Sequence, residues 1–395
     1  MSKFTIRILT AVITFTIGVA IATALVFNRT EEEPRIAPVE VGSGGASMEM
    51  VFVLDTTGSM GGLLSGAKQR IWGIINEVMQ TSSLSSVKVG LVAYRDRGDR
   101  YITQVLPLTD DLDKVYSTLV EYEAAGGGDE AENVRRALAE GVAKAGWSQA
   151  FQNNAQVLFL VGDAPPHDYA DEPDTLTTAD LAVKQGIIVN TIQCGTSPTT
   201  KMVWEAIARR GQGQYFVIPQ NGGVETISTP YDEQLSQLGT RLGSTFMAYG
   251  GGGGAEGEEF RSSRKKMVDS TEASVAGFSA PSAAADRSLN KALNSKAYIG
   301  DLLQDIENGS TKLESVKVED LPAELQKLSA EERKKEIEKR LAGRSEMRKQ
   351  IVSLSKQRAE YITAEQKKRN GGVQNGFDVA VSTALREQLA RKGIR

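Results

Sequence analysis

One cysteine and one histidine in 395 residues set the first limits on this chain. A lone Cys194 allows no intrachain disulfide and no cysteine-based metal cage, and a lone His167 rules out a multi-histidine zinc site. Cys194 ends the apolar segment I-I-V-N-T-I-Q-C, where its default role is that of a small buried hydrophobe. Nucleotide-binding signatures are also missing. Neither G-x-x-x-x-G-K-[ST] nor G-x-G-x-x-G follows any predicted strand.

A strong charge of one sign is lacking overall: 46 Lys/Arg stand against 50 Asp/Glu, a net charge of -4. The balance hides an asymmetry. Residues 261–395 carry 27 Lys/Arg and 19 Asp/Glu, net +8, which leaves residues 1–260 at net -12. An acidic front and a basic tail can attract each other. In the tail, however, Glu alternates with Lys and Arg, which reads as a solvated helix surface. The acidic main region argues against a nucleic-acid partner.

What is present begins with an uncharged run from Ile8 to Phe27, preceded by Lys3 and Arg7 and followed by Arg29 and then Glu31, Glu32 and Glu33. About twenty such residues match a membrane-spanning helix, and the preceding positive charge predicts an N-inside orientation with the bulk of the chain exported. Ala22-Thr23-Ala24 offers a signal-peptidase-like site, in which case the product is secreted. Apolar character continuing through Leu25, Val26 and Phe27 favours an uncleaved anchor, making the membrane one expected partner. The organisation expected is an anchor or signal at 1–28, a linker at 29–47, an α/β domain at 48–246, a Gly/Ser/Ala-rich linker at 247–285 and a helical region at 286–395.

Within 48–246, short apolar strands alternate with helical segments. The predicted strands are Met50–Leu54, Val87–Tyr94, Tyr101–Leu106, Ala155–Val161, Gly186–Gln193 and Tyr215–Ile218. The brief Arg95–Arg100 turn predicts that the third strand is an antiparallel edge. The fold class is α/β: a doubly wound, mostly parallel six-stranded sheet flanked by helices, followed by a C-terminal α-helical region. In that region Ser329-Ala-Glu-Glu332 predicts a capping box, Asn370-Gly371-Gly372 a helix stop, and Phe377, Val381, Leu385 and Leu389 one face of a last helix. A helical hairpin or coiled-coil-like module is expected there.

The chemistry is concentrated at strand ends. The strand Met50–Leu54 runs into Asp55-Thr56-Thr57-Gly58-Ser59, and Ala155–Val161 into Gly162-Asp163-Ala164-Pro165. Between them, Gly126-Gly127-Gly128-Asp129 precedes a predicted helix over Glu130–Ala145. Ligands of open α/β sheets bind outside the carboxyl ends of the strands. Hydroxyls and carboxylates in such turns suit hard cations, Mg²⁺, Mn²⁺ or Ca²⁺. Such residues also cap helices, the simpler reading of any one of them alone. Glu132, four residues before Arg136, reads as half of a helix-surface ion pair. His167, Arg95, Asp96, Arg97 and Asp99 read as solvated loop charges.

Asp55-x-Thr57-x-Ser59 together with Asp163 resembles the von Willebrand factor A domain and its metal-ion-dependent adhesion site, whose first motif is D-x-S-x-S. The resemblance covers Met48 to Phe246 and not the tail. It implies a Rossmann-like fold, a divalent cation, most simply Mg²⁺, held by Asp55, Thr57, Ser59, Asp129 and Asp163, and a protein partner. No catalytic residue follows from it. One departure stands out. Where the family offers a threonine in its second loop, this chain has Asp129, whose carboxylate, if it coordinates directly and not through water, would neutralise part of the cation's charge and weaken capture of an acidic partner residue. Two alternatives remain. Asp55-Thr-Thr-Gly-Ser also resembles the nucleophile loop of aspartyl-phosphate enzymes, which would make the chain a Mg²⁺-dependent phosphatase. A scaffold whose helical tail does the binding is the other.

Overall fold

The computed structural model describes residues 46–81, 84–128, 130–149, 153–223, 227–278, 281–294, 298–368 and 376–394. The expected anchor at 1–28, nearly all of the linker after it, and Asn370-Gly371-Gly372 lie outside the described residues. No described helix is long and apolar enough to cross a membrane.

Strand β1 (Ala46–Asp55) is buried along Met48–Asp55 on both faces, as a central parallel strand must be. Around it are β2 (Leu84–Tyr94), β3 (Thr103–Thr109), β4 (Asn154–Gly162), β5 (Ile187–Cys194) and β6 (Gln212–Ile218), in the order β3-β2-β1-β4-β5-β6. All neighbours are parallel except β2 and β3. The antiparallel edge follows from the short turn at 95–102, since parallel pairing needs a long crossover. Sequence order reverses between β1 and β4, so β1 and β4 flank the switch point of the sheet.

The pleat sorts β1 by parity. Met48, Met50, Phe52 and Leu54 enter one core, with α1 (Gly61–Thr81) and α2 (Leu112–Glu121). Val51 and Val53 enter the other, with α3 (Val134–Ala143), α4 (Thr175–Lys184) and α5 (Pro198–Arg210). The helix α3 begins four residues later than Glu130, because Asn133 caps it by accepting from the Arg136 N–H at 3.2 Å.

Past β6 come α6 (Asp232–Ser244), α7 (Gly254–Phe278), α8 (Pro281–Leu293), the short α9 (Leu302–Glu307) and α10 (Ala323–Gln326), the long α11 (Ala330–Lys368) and α12 (Phe377–Arg391). Two expectations are overturned here. The region 247–285, expected to be a Gly/Ser/Ala-rich linker, is mostly the helices α7 and α8. Its run of five glycines ends at 254 and Glu, Arg and Lys then follow, all good helix formers. The tail is also not a separate module, since residues 45–395 form one compact unit. Phe377, Val381, Leu385 and Leu389 of α12 are buried in the core shared with α1, and the Phe377 ring lies 6.0 Å from that of Phe52. Gln388 exchanges hydrogen bonds with Asn190 of β5 inside that core, fixing how α12 lies on the sheet. The capping box at Ser329 and Glu332 is formed as expected.

Buried ion pairs tie the helices together, and two of them, Arg358–Asp232 and Arg287–Asp113, join the acidic front to the basic tail. Arg358 of α11 bridges Asp232 of α6 and Asp286 of α8, at 2.6 and 2.7 Å. Arg287 of α8 pairs with Asp113 of α2 and with Glu272 of α7, both at 2.6 Å. Arg344 pairs with Asp301 at 2.5 Å, both side chains wholly buried. Outward-facing Lys and Glu of α11 remain solvated.

Candidate metal centre

Asp55 is the last residue of β1, and the chain turns at once into the 3₁₀ segment Gly58–Met60 and then α1. The turn folds onto its own carboxylate. Asp55 Oδ1 accepts from Thr57 N–H at 2.8 Å and from Thr57 Oγ1–H at 2.7 Å. Thr57 Oγ1 lies 3.4 Å from Ser59 Oγ. Asp55 is fully buried, and its Oδ2 has no hydrogen-bond partner. Burial pushes its carboxyl up to about 7, opposed by the two Thr57 donations and reinforced by the charge of Asp163. A buried carboxylate oxygen left without a donor is costly unless something positive completes it.

Asp163 follows β4, the strand beside β1. Its Oδ2 accepts from Gln220 Nε2 at 2.6 Å, and its backbone carbonyl from Thr200 Oγ1 at 2.9 Å. Gly162 makes the approach possible. A Cβ there would lie 2.4 Å from Tyr94 Oη and 3.1 Å from Asp55 Oδ2. The third wall is the loop after Glu123. Gly126 and Gly127 both have φ of +81°, and Gly126 O accepts from Gly58 N–H at 3.2 Å. Beneath, Arg95 Nε donates to Thr56 O and Arg95 Nη2 to Glu123 O, tying that loop to the β1 turn.

The structure therefore brings Asp55, Thr57, Ser59 and Asp163 to one end of the sheet. Thr57, Ser59 and Asp163 line a cleft of about 370 Å³. Asp129 lies outside the described residues. No group of three or more His, Cys, Asp or Glu with metal-binding geometry occurs among the described residues. The donor set nevertheless fits a hard cation: buried carboxylate oxygen, hydroxyls and a second carboxylate, with no soft ligand.

Glu132 is not the helix-surface residue that its spacing from Arg136 predicts. Its side chain is buried (3% exposed), lines the same cleft, and leaves Oε2 without a partner. Arg136, the expected partner, pairs with Glu172 instead, at 2.7 Å. Burial pushes the Glu132 carboxyl up to about 9, reinforced by Asp55, Asp96, Asp99 and Asp163. The signal available in the sequence was the interval: three residues after the Gly-rich loop is too early for an exposed helical position if Asn133 is the cap. Arg95 and Asp96 are likewise buried, not loop charges in solvent. Asp96 accepts from Tyr169 Oη at 2.8 Å and lies 3.3 Å from His167 Nε2.

Comparison with known proteins agrees on the domain. Residues 49–229 match the family model described as von Willebrand factor A domain. Similar curated proteins include a putative ariadne-like RING finger protein of Acanthamoeba polyphaga mimivirus, 28% identical over 142 residues (34% of this chain). Another is von Willebrand factor A domain-containing protein 7 of Rattus norvegicus, 40% identical over 87 residues (22% of this chain). The matched segments span only 13% and 9% of those two relatives. Among solved structures, an aerotolerance-related membrane protein of Bacteroides fragilis is 14% identical, with a TM-score of 0.29 over 45% of this chain and 93% of that one. Proximal thread matrix protein 1 of the mussel byssus, in a form with a zinc-occupied MIDAS motif, is 14% identical, with a TM-score of 0.34 over 45% of this chain and 42% of that one. The segment that carries Asp55, Thr57, Ser59 and Asp163 lies within the residues that match the von Willebrand factor A domain model.

Proposed function

We propose that this chain binds a protein partner through a divalent cation, most simply Mg²⁺, held at the carboxyl ends of β1 and β4. The observation that carries the reading is Asp55 Oδ2: fully buried, unpartnered, and beside the cleft that Thr57, Ser59 and Asp163 line. An empty valence of that kind suits a cation better than a helix cap, because the capping donors already satisfy Oδ1. The role is binding, not catalysis. An aspartyl-phosphate enzyme needs Asp55 exposed for in-line attack and a lysine for the phosphoryl group, whereas Asp55 is buried and, among the described residues, no lysine lines the cleft. The run Ile8–Phe27 with Lys3 and Arg7 before it supports export of the domain and its retention at a membrane, with cleavage after Ala24 as the secreted variant.

Calorimetric titration of the full chain with Mg²⁺ and Mn²⁺, native and Asp55→Ala, tests the cation. Saturable binding by the native chain alone is expected, and a native chain that binds neither ion refutes the reading.

A further inference from the structure

A second cleft lies outside the residues that match the von Willebrand factor A domain model, among the helices after β6. The end of α6 with the residues after it, one face of α7, the start of α10 and the middle of α11 border about 590 Å³, within the roughly 300–1,000 Å³ of small-molecule sites. Phe246, Met247 and Met347 give it an apolar lining, and methionine adapts to irregular shapes. Four basic side chains also line it, Arg261, Lys265, Lys266 and Arg340, against two acidic ones, Glu258 and Glu324. Arg261 is 5% exposed, and its Nε has no hydrogen-bond partner. Its Nη1 donates to the carbonyls of Gly250, Gly252 and Glu319 at 2.9, 3.0 and 3.0 Å, which fixes the guanidinium without neutralising it. The carboxylate of Glu258 stands 3.3 Å from Nη2 on a side chain that is 56% exposed. A buried cation so weakly paired favours an anion beside it.

Gly343 adds an independent observation. It sits in the interior of α11 and lines the same cleft. Glycine is the poorest helix former after proline, and no close approach requires one here, since a Cβ would meet nothing within 4 Å. The missing side chain leaves the cleft open at that point. We propose that this cleft binds a small amphiphile with an anionic head, in the simplest case a medium-chain carboxylate. The head lies at Arg261, Lys265 and Lys266, and the aliphatic body lies against Phe246, Met247 and Met347. The two kinds of lining decide the class together. A bare anion would leave the apolar wall in water, and a neutral hydrocarbon would leave Arg261 uncompensated.

Calorimetric titration of the full chain with decanoate, below its micelle concentration, tests this beside neutral decanamide and inorganic phosphate. Chelator keeps the outcome independent of the cation site. Saturable binding of decanoate is expected, with decanamide and phosphate each at least about tenfold weaker. Gly343→Leu fills the cleft with a better helix former, and Lys266→Glu reverses a charge at an exposed position. Circular dichroism confirms folding of each, and each should weaken decanoate binding at least about fivefold. A native chain that does not bind decanoate overturns the proposal, as does a smaller gap to decanamide or to phosphate. A folded Gly343→Leu chain with a smaller loss also overturns it, because binding then lies elsewhere. If Gly343→Leu does not fold, Lys266→Glu decides by the same threshold.

Discussion

The buried, unpartnered oxygen of Asp55 has a thermodynamic consequence that can be measured without any partner. Its carboxyl is raised from 3.8 to about 7, chiefly by burial. Because the folded-state value lies above the unfolded one, the folded chain holds a proton that the unfolded chain has released. Its stabilising contribution is therefore complete below about pH 4 and is lost as pH rises through about 7. At 1.36 kcal/mol per unit, the shift amounts to about 4 kcal/mol of stability forgone by about pH 8 in the cation-free chain. Glu132, raised to about 9, acts in the same direction. Asp55→Asn removes the ionisation and retains an acceptor for the two Thr57 donations, but leaves a buried amide N–H₂ unpaired, at a cost of about 1–3 kcal/mol. The net expectation is that Asp55→Asn is about 1–3 kcal/mol more stable than native in chelator at about pH 8.

Urea unfolding, followed by tryptophan fluorescence from the buried Trp72 and Trp204, reads this directly. In chelator the native chain should be less stable at about pH 8 than at about pH 5, and Asp55→Asn should show a flatter dependence. Mg²⁺ at a hundred times its dissociation constant should restore about 2.7 kcal/mol to native and nothing to Asp55→Asn. A native chain equally or more stable at the higher pH in chelator would refute the reasoning. So would an Asp55→Asn chain less stable than native under the same conditions.

Four further outcomes follow from the packing. Gly126→Ala should cost about 1–3 kcal/mol and weaken cation binding, since φ is +81° and the new Cβ would fall 2.2 Å from Asp99 Oδ1. Urea midpoints with and without Mg²⁺ check both effects. Arg344→Ala strands the Asp301 carboxylate in the interior and should cost about 3–5 kcal/mol, visible as a fall of the thermal midpoint. Leu385→Ala should cost about 2–5 kcal/mol in the same transition that reports Trp72, whereas an independent tail would leave that transition unmoved. Asp113, held at about 2 by Arg287 and Lys291 against the cost of burial, should contribute about 2 kcal/mol above pH 4. That contribution disappears as pH falls through about 2, so acid unfolding of Asp113→Asn should be shallower than that of native.

The strand pattern was legible because β1 and β4 are apolar on both faces, a signature that needs no tertiary knowledge. Asp55, Thr57, Ser59 and Asp163 were legible because hydroxyls and carboxylates immediately after such strands face the ligand side of the sheet. Glu132 was not. Its spacing from Arg136 satisfies the helix-surface rule, and only the docking of Pro165–His167 against it, a contact across more than thirty residues, turns it inward. The docking of the tail is illegible in the sequence for a related reason. An i, i+4 stripe says that a helix buries one face and says nothing about which surface receives it. Here the receiving surface is made by α1, by β4, β5 and β6, and by the Phe52 ring of β1, elements that precede it by about 160 to more than three hundred residues.

That late helix bears on the site as well. The loop after β6 carries Gln220, whose amide donates to Asp163 Oδ2, and two residues on Gly222 O accepts from Phe377 N–H at 2.9 Å, the first residue of α12. Asn221 packs against Gly62 at the start of α1, where a Cβ on the glycine would fall 2.6 Å from Asn221 Cα. One short loop thus touches a cleft carboxylate, the helix that follows Asp55, and the helix that closes the core. A fragment ending at 246 would leave Phe52 and its neighbours uncovered and would free the backbone on which Gln220 depends. Cation affinities measured on such a fragment would report a loosened cleft, because the geometry around Asp163 is held only in a piece that retains α12.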